Sequence, residues 1–161
     1  MQEDFDLRYQ VAEEKKFGMR AALILRHQDR IFVNVEPGTP AVAVLPGGAI
    51  KFGETGEQAV MREAKEELAL TDFHPEFAGV MESFWQTESL TYHQPILIFR
   101  AEVTVEQAIA LANLDYEKLD LPAGTQLNWQ PLSKVENILQ PRGIEAAAEM
   151  GTPMQHLLSY R

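Results

Sequence analysis

The chain has 161 residues, a length typical of one domain, and 45% of them are hydrophobic, which allows a sizeable core. Fourteen Lys and Arg face 24 Asp and Glu, and this net charge of −10 argues against a general binder of nucleic-acid backbones. No cysteine is present, which excludes disulfides, thiolate nucleophiles and cysteine-ligated zinc. The acidic first residues and the shortness of the apolar runs predict a soluble, cytoplasmic protein without a membrane partner.

Short apolar runs alternate with turn residues in the first third of the chain. Ala21–Leu25 and Ile31–Val35 are predicted to form two paired strands, and Ala41–Leu45 a third. Residues 36–40 form a turn because they contain two prolines and a glycine, and Pro46-Gly47-Gly48 is predicted to interrupt regular structure. This part of the chain therefore reads as a small sheet that ends in a glycine loop.

The middle of the chain contains the clearest helix. It is predicted from Thr55 to about Leu70, and Thr55 and Gln58 have the spacing of a reciprocal capping box. Phe77–Phe84 and Pro95–Val105 are predicted strands on either side of a polar segment. One strong helix between strands indicates an α/β or α+β sandwich.

The last third is less decisive. Residues 106–113 have a helical composition that also suits a helical turn in a long loop, whereas Leu127–Leu132 resembles a strand. Ser133–Leu139 is predicted to be a short helix that Ser133 and Glu136 cap. Ile144–Met150 and Met154–Ser159 also have a helical composition, so we expect a helical C-terminal segment over about 133–161 of a single domain that spans 1–161.

Three glutamates converge on one edge of the predicted central helix. Val60, Ala64 and Leu68 form its apolar stripe, and the acids directly beside that stripe are Glu63, Glu66 and Glu67. Such like charges destabilise a bare helix, and Glu63 and Glu67, one turn apart, resemble the incomplete oxygen cage in which Mg²⁺ binds. The alternative is an ordinary solvated acidic face, which is the commoner role of glutamate-rich helices.

The loop before this helix supports the metal-site interpretation. Gly47 and Gly48 allow the backbone to approach a ligand closely, and a carbonyl there would add a hard oxygen. Lys51 is a candidate for contact with phosphate, and Glu54 is placed to contact Arg62.

Together these residues match the pattern G-x5-E-x7-R-E-U-x-E-E-x-G-U, where U is a bulky aliphatic residue, and the chain therefore resembles the Nudix hydrolases. The pattern runs from Gly48 through Glu54 and Arg62 to Leu70, so it covers residues 48–70. Ala69 occupies its glycine position, where the backbone often has a positive φ, and Ala64 is small for its aliphatic position. Every charged position is retained.

This resemblance implies a Nudix-type α/β/α sandwich with a central mixed β-sheet and a metal-dependent pyrophosphohydrolase activity. Mg²⁺ or Mn²⁺ would be the cofactor, and a nucleotide or nucleoside diphosphate derivative the small-molecule partner. The metal would be held by Glu63, Glu66 and Glu67 with a carbonyl of Gly47 or Gly48. Glu63 would also be the general base. Arg62 would orient the carboxylates, and Glu54 would support Arg62 or a second metal.

Other roles stay open at this point. Some Nudix enzymes take the general base from a later loop, and the later candidates here are Glu82, Glu88 and Glu102. For substrate binding the candidates are Trp85, Phe84 and Tyr92, which could stack on a base or sugar; His93 and Arg100 are weaker candidates.

Two other functions compete with hydrolysis. A Nudix-fold domain that binds a nucleotide without turnover is one alternative, which the Ala69 departure favours. A pyrophosphohydrolase of RNA ends is the other, which the net charge of −10 disfavours. A homodimer is compatible with the resemblance, although no segment of the sequence marks an interface.

Overall fold

The computed structural model describes residues 4–38 and 40–160, and within these ranges eleven strands form one mixed sheet. Three α-helices accompany it: α1 (Gly56–Leu68), α2 (Val105–Ala112) and α3 (Leu132–Val135). The strands are β1 (Arg8–Ala12), β2 (Lys15–Gly18), β3 (Arg20–His27), β4 (Arg30–Glu36), β5 (Val42–Val44), β6 (Gly47–Ala49), β7 (Glu76–Gln86), β8 (Thr91–Glu102), β9 (Leu127–Pro131), β10 (Leu139–Gln140) and β11 (Gln155–Tyr160).

The centre of the sheet is formed by β3 and β8, which run parallel over seven residue pairs from Arg20–Ile96 to Arg26–Glu102. β7 and β8 form a long antiparallel hairpin, and β11 runs parallel to β7. β4 lies antiparallel to β3, β5 and β9, which confirms the predicted pairing of the first two apolar runs. β6 pairs with the start of β3 and so fixes the glycine loop against the sheet.

The sheet separates two hydrophobic cores. One core contains Val60, Ala64 and Leu68 of α1 and Leu111 of α2, packed on odd-numbered residues of β3 such as Leu23. The other core packs even-numbered residues of β3 against α3, β10 and the 3-10 turn Ile144–Ala147. The predicted α/β sandwich with a central mixed sheet is therefore confirmed.

A fully buried arginine anchors the C-terminal part of the second core. Arg100 of β8 is 0% exposed; it forms two hydrogen bonds with the Glu76 carboxylate and donates to the Ala147 carbonyl and to the hydroxyl and carbonyl oxygens of Thr152. The guanidinium thereby holds the segment that leads into β11. Arg100 is consequently an internal ion-pair residue, and its donors are directed at these partners.

The predicted C-terminal helices are largely wrong. Met154–Ser159 was predicted as a helix, but Gln155–Tyr160 is the strand β11, because parallel pairing with β7 satisfies its backbone. Its side chains alternate, with Ser159 buried and Leu158 and Tyr160 exposed. Only the 3-10 turn Ile144–Ala147 forms within the predicted helix Ile144–Met150.

The predicted helix Ser133–Leu139 is shorter and begins earlier. α3 starts at Leu132 and ends at Val135, so Ser133 lies inside the helix, and no side chain caps its N-terminus. Leu139 instead enters β10, which pairs with β5. The predicted capping box of Ser133 and Glu136 is therefore wrong.

Two further parts of the chain bear on the sequence predictions: residues 106–113 and the strands β1 and β2. Residues 106–113, for which a helix and a turn were both open, form α2, which Thr104 and Gln107 cap reciprocally. The polar strands β1 and β2 were not predicted, because they lack an apolar pattern; β1 is exposed along its whole length, whereas β2 is mostly half-buried. Within the described ranges, no helix has the length and apolarity needed to cross a membrane.

Candidate active site

The helix α1 forms as predicted and positions the acidic cluster. Thr55 caps its N-terminus, and Gln58 returns the bond to the Thr55 amide, so two otherwise unpaired amides are satisfied. Val60, Ala64 and Leu68 are buried against the sheet. This packing fixes the rotation of the helix and sets the directions of the glutamates beside the apolar stripe.

Arg62 is the centre of a hydrogen-bonded network. Its guanidinium donates to both carboxylate oxygens of Glu54, at 2.7 and 3.1 Å, to Glu63 Oε1 at 2.7 Å and to the Ala49 carbonyl at 3.1 Å. A longer contact of 3.3 Å reaches Glu66 Oε2. The side chains of Arg62, Glu54 and Glu63 are only 19%, 14% and 13% exposed, so the network is largely shielded from water.

The charges in this network stabilise one another. The Glu54 hydrogen bonds raise the pKa of Arg62 further above its ordinary value, despite the opposing effect of burial. Burial raises the pKa of Glu54, but hydrogen bonds from Arg62 and the Lys51 amide outweigh it and lower that pKa overall. Arg62 and Glu54 thus stay charged and hold Glu63 in place.

The glycine loop lies directly against Glu63. A Cβ atom on Gly48 would lie 2.3 Å from Glu63 Oε1, so only glycine leaves room for the carboxylate. Gly47 has a φ of 143°, and a Cβ there would lie 2.1 Å from the Ala21 carbonyl oxygen. The predicted interruption at these glycines is instead the short strand β6, in which two missing side chains permit close packing.

Glu67 is the second acid at this point. Desolvation raises its pKa to about 7, and the adjacent Glu63 carboxylate, within hydrogen-bonding reach, raises it in the same direction. Asp120 adds a further negative charge, because its amide donates to the Glu66 carbonyl and so places it beside α1. Two carboxyl groups are thus forced together without enough positive charge to neutralise them.

The structure brings two of the three predicted metal ligands together. The Glu63 and Glu67 carboxyl groups lie within hydrogen-bonding reach of each other, whereas the Glu66 side chain is 41% exposed and has its own contact with Arg62. Across residues 4–38 and 40–160, no three acidic or histidine side chains form a complete metal-binding group. The donor set nevertheless fits a divalent cation, because two hard carboxylates lie in excess negative charge beside the backbone of Gly48.

Other predicted residues have different surroundings. Lys51 binds the Asp4 carboxylate at 2.6 Å, so its amine is directed toward the N-terminal segment. Of the later acids, Glu82 pairs with His156 at 2.8 Å, and Glu102 accepts from the Gln28 amide at 3.1 Å. Glu88 is exposed in the loop between β7 and β8.

A cavity of about 390 Å³ opens beside the other face of the sheet. Aliphatic side chains line it, several of them from β3, β5 and β8, and Arg20 and Trp85 also line it. Five further polar side chains contribute to its wall: Glu36, Ser83, Gln94, Gln140 and Ser159. Largely apolar walls with a few polar groups are typical of a small-molecule site.

The aromatic candidates are divided between the two sheet faces, because neighbouring strand residues point in opposite directions. Trp85 stacks on Tyr92, with ring centroids 3.7 Å apart, and borders the cavity. Phe84 instead stacks on His93 and Tyr160 on the opposite face. The structure therefore keeps Trp85 as a substrate-binding candidate and separates Phe84 from that cavity.

Sequence reasoning missed two charged residues near the acids, Arg20 and Asp120. Each is a single charge outside the recognised spacing, and only strand pairing or loop packing brings it to the site. Ala69, which replaces the glycine of the Nudix pattern, affects the structure only locally. It ends α1 with φ 51° and ψ 28°, the left-handed conformation that glycine adopts more easily.

Comparison with known proteins identifies the family. The model of the NUDIX domain matches residues 16–149, which is most of the chain. The chain belongs to the Nudix family. Nudix hydrolases generally use divalent metals, in agreement with the acidic character of this site.

Individual relatives agree with this assignment. The Escherichia coli K12 8-oxo-dGTP diphosphatase is 36% identical over 63 residues, which cover 37% of this chain and 49% of that protein. The match thus spans about half the length of this curated relative.

Solved Nudix structures show the same fold. The MutT protein from Bacillus halodurans superposes with a TM-score of 0.60 at 20% identity and covers 88% of this chain and 86% of its own. The E. coli dihydroneopterin triphosphate pyrophosphohydrolase gives a TM-score of 0.56 at 17% identity, covering 83% and 93% respectively.

Proposed function

We propose that this protein is a divalent-metal-dependent pyrophosphohydrolase that cleaves the diphosphate linkage of a nucleotide or nucleoside diphosphate derivative. The observation that carries the proposal is the pairing of Glu63 and Glu67 against the backbone of Gly48. Two anionic side chains held together in a half-buried site raise the free energy of the metal-free protein, and cation binding relieves that repulsion. The membership of the Nudix family supports the same chemistry.

Mg²⁺ or Mn²⁺ would be held by Glu63 and Glu67, with a carbonyl oxygen of Gly47 or Gly48 and with Glu66 as a further ligand. When bound, such a cation neutralises phosphate charge and activates the attacking water. The half-buried position of the carboxylates strengthens this interaction relative to a fully exposed acidic face.

The residues of the chain have separable tasks in this reaction. Glu63 accepts a proton from the attacking water while the water oxygen bonds to phosphorus. The bridging P–O bond breaks, its electron pair stays on the leaving phosphate oxygen, and two phosphorylated products result. Arg62 orients Glu63 through the 2.7 Å hydrogen bond, and Glu54 holds Arg62 from the other side. Arg62 and Glu54 act as positioning residues because their mutual contacts direct them at each other.

The cavity beside Trp85 is the proposed site for the remainder of the substrate. Its aliphatic walls and stacked Trp85–Tyr92 pair suit a flat base or a sugar, and its volume of about 390 Å³ lies within the range of small-molecule sites. The E. coli relative is named an 8-oxo-dGTP diphosphatase, so nucleoside triphosphates, 8-oxo-dGTP among them, are the first substrates to test.

The test is a turnover assay against NTPs, 8-oxo-dGTP, nucleotide sugars, ADP-ribose and dinucleoside polyphosphates, with Mg²⁺, Mn²⁺ or EDTA. Glu67→Gln is expected to reduce kcat at least about hundredfold, as loss of a transition-state electrostatic contact does. Glu57→Gln is the matched control, because Glu57 is exposed in the first turn of the same helix. Undiminished turnover by Glu67→Gln would refute the proposed site.

The competing hypothesis is a Nudix-fold domain that binds nucleotides without hydrolysis. The acid pair, Glu63 and Glu67, is retained although Ala69 has a strained backbone conformation, and its retention favours turnover. Thermal stabilisation by nucleotides without any product would support the binding hypothesis instead. The predicted homodimer stays a prediction, which light scattering would test.

A further inference from the structure

The cavity and the acid pair meet at Arg20. Arg20 is the first residue of β3, where it pairs with Ala49 of β6 on one side and with Ile96 of β8 on the other. Its side chain lines the cavity, and Glu67 and Glu63 are the two acids whose charges act on it most strongly. Arg20 therefore lies where a ligand in the cavity would approach the carboxylates.

The guanidinium of Arg20 is only weakly engaged by the protein. Its hydrogen bond to the Leu45 carbonyl is 3.3 Å long, which is at the weak end for such a contact. No carboxylate in the described ranges forms an ion pair with it within 4.0 Å, whereas Arg62 and Arg100 each form ion pairs with acidic side chains and donate further hydrogen bonds to carbonyl oxygens. Since a guanidinium has five N–H donors, most donors of Arg20 are available to a ligand.

The rest of the cavity wall makes this charge distinctive. Among the described residues that line it, Arg20 is the one cationic side chain and Glu36 the one carboxylate. The remaining polar groups are neutral hydroxyls and carboxamides. An anionic group bound in the cavity would therefore meet favourable charge at Arg20, the lining residue on which the charges of Glu67 and Glu63 act.

We propose that Arg20 is a phosphate-binding, specificity-determining residue, which contacts the phosphate attached to the nucleoside and so favours nucleotides over uncharged nucleosides. This inference rests on the proposed function, because it places the nucleoside in the cavity and the diphosphate toward Glu63 and Glu67. The planar fork of arginine can donate two parallel hydrogen bonds to a phosphate. A simple charge-balancing role toward Glu63 and Glu67 would be retained in full by Arg20→Lys, whereas the two parallel hydrogen bonds to phosphate would not.

The test measures binding by isothermal titration calorimetry in EDTA, so that it does not depend on a metal or on turnover. The probes are adenosine, guanosine and their 5′-monophosphates. Wild type is expected to bind a monophosphate more tightly than its nucleoside, and Arg20→Gln is expected to weaken monophosphate binding about tenfold or more while nucleoside affinity stays unchanged. Arg30→Gln makes the same change of charge at an exposed position of β4 and should bind like wild type.

Arg20→Lys keeps the charge without the planar fork and is the second variant if Arg20→Gln does not fold. It should lose part of the preference for monophosphates. Turnover gives an independent readout: Arg20→Gln should raise KM by more than it lowers kcat, since a contact made in both the bound and the transition state is removed.

Several results would overturn the inference. Equal losses for nucleoside and monophosphate would show that Arg20 only shapes the cavity, and unchanged monophosphate affinity would exclude the contact. A wild type that binds neither probe would overturn the placement of the nucleoside as well. Phosphate discrimination without hydrolysis of any substrate would contradict the proposed function while leaving the role of Arg20 intact.

Discussion

Replacing Ala69 by glycine should stabilise the protein, although nearly every substitution to glycine within a helix does the opposite. Ala69 ends α1 in the left-handed region, with φ 51°, and its amide donates to the Ala64 carbonyl. Its side chain is exposed, so removal of the methyl group creates no cavity. The effect of the substitution is therefore confined to the backbone conformation and to the unfolded chain.

The magnitude follows from two opposing contributions. A non-glycine residue in the left-handed conformation costs about 1–2 kcal/mol, which glycine does not incur. Glycine makes the unfolded chain more flexible, at a cost of about 0.4–1 kcal/mol. The difference predicts a stabilisation of about 0.5–1 kcal/mol, or a rise in Tm of about 1–4 °C for a chain of this size.

Urea denaturation followed by circular dichroism measures this difference. Ala110→Gly is the matched control, because Ala110 is exposed and lies in the right-handed interior of α2, where the same change should cost about 1 kcal/mol. Opposite signs for the two variants would support the conformational argument. A destabilised Ala69→Gly protein would refute it.

Three further predictions concern the core and the acid pair. Arg100→Leu should lower the free energy of unfolding by roughly 3 kcal/mol in urea titrations, because it leaves two carbonyls and a hydroxyl without their donor; an unchanged midpoint would contradict its anchoring role. In EDTA the pKa of Glu67 is about 7, above its ordinary value of 4.5, so stability should fall as the pH rises from about 4.5 to 7. Glu67→Gln should remove this pH dependence of stability between pH 5 and 8. An identical stability profile in the variant and the wild type would contradict the assignment of the dependence to Glu67. Gly48→Ala should displace the Glu63 carboxylate, so kcat should fall strongly while Tm changes little. An unchanged kcat in this variant would show that the loop tolerates a side chain at this position.

Sequence patterns predict the part of this fold that local chemistry determines. The apolar stripe and capping box of α1 depend on residues three and four apart, and Leu23 and Phe32 lie in runs whose apolar character marks central strands. The acidic edge follows from the same helical spacing. Its significance depended on Gly48 lying at a suitable distance along the chain, and the structure places Gly48 against Glu63.

Long-range pairing determines what the sequence could not predict. The run from Gln155 to Tyr160 has no clear period, and its strand conformation depends on β7, more than 70 residues earlier. The polar β2 is a strand because it pairs with β8. Arg20 carries no local signal either, since its position beside the acid pair results from β3 lying between β6 and β8.

Calorimetric titration of the metal-free protein with Mn²⁺ tests the central claim most directly. Wild type and Glu57→Gln should bind the cation with the same affinity, whereas the double variant Glu63→Gln and Glu67→Gln should show no saturable binding under the same conditions. Equal Mn²⁺ affinity in all three proteins would contradict the claim that these two carboxylates form a divalent-cation site.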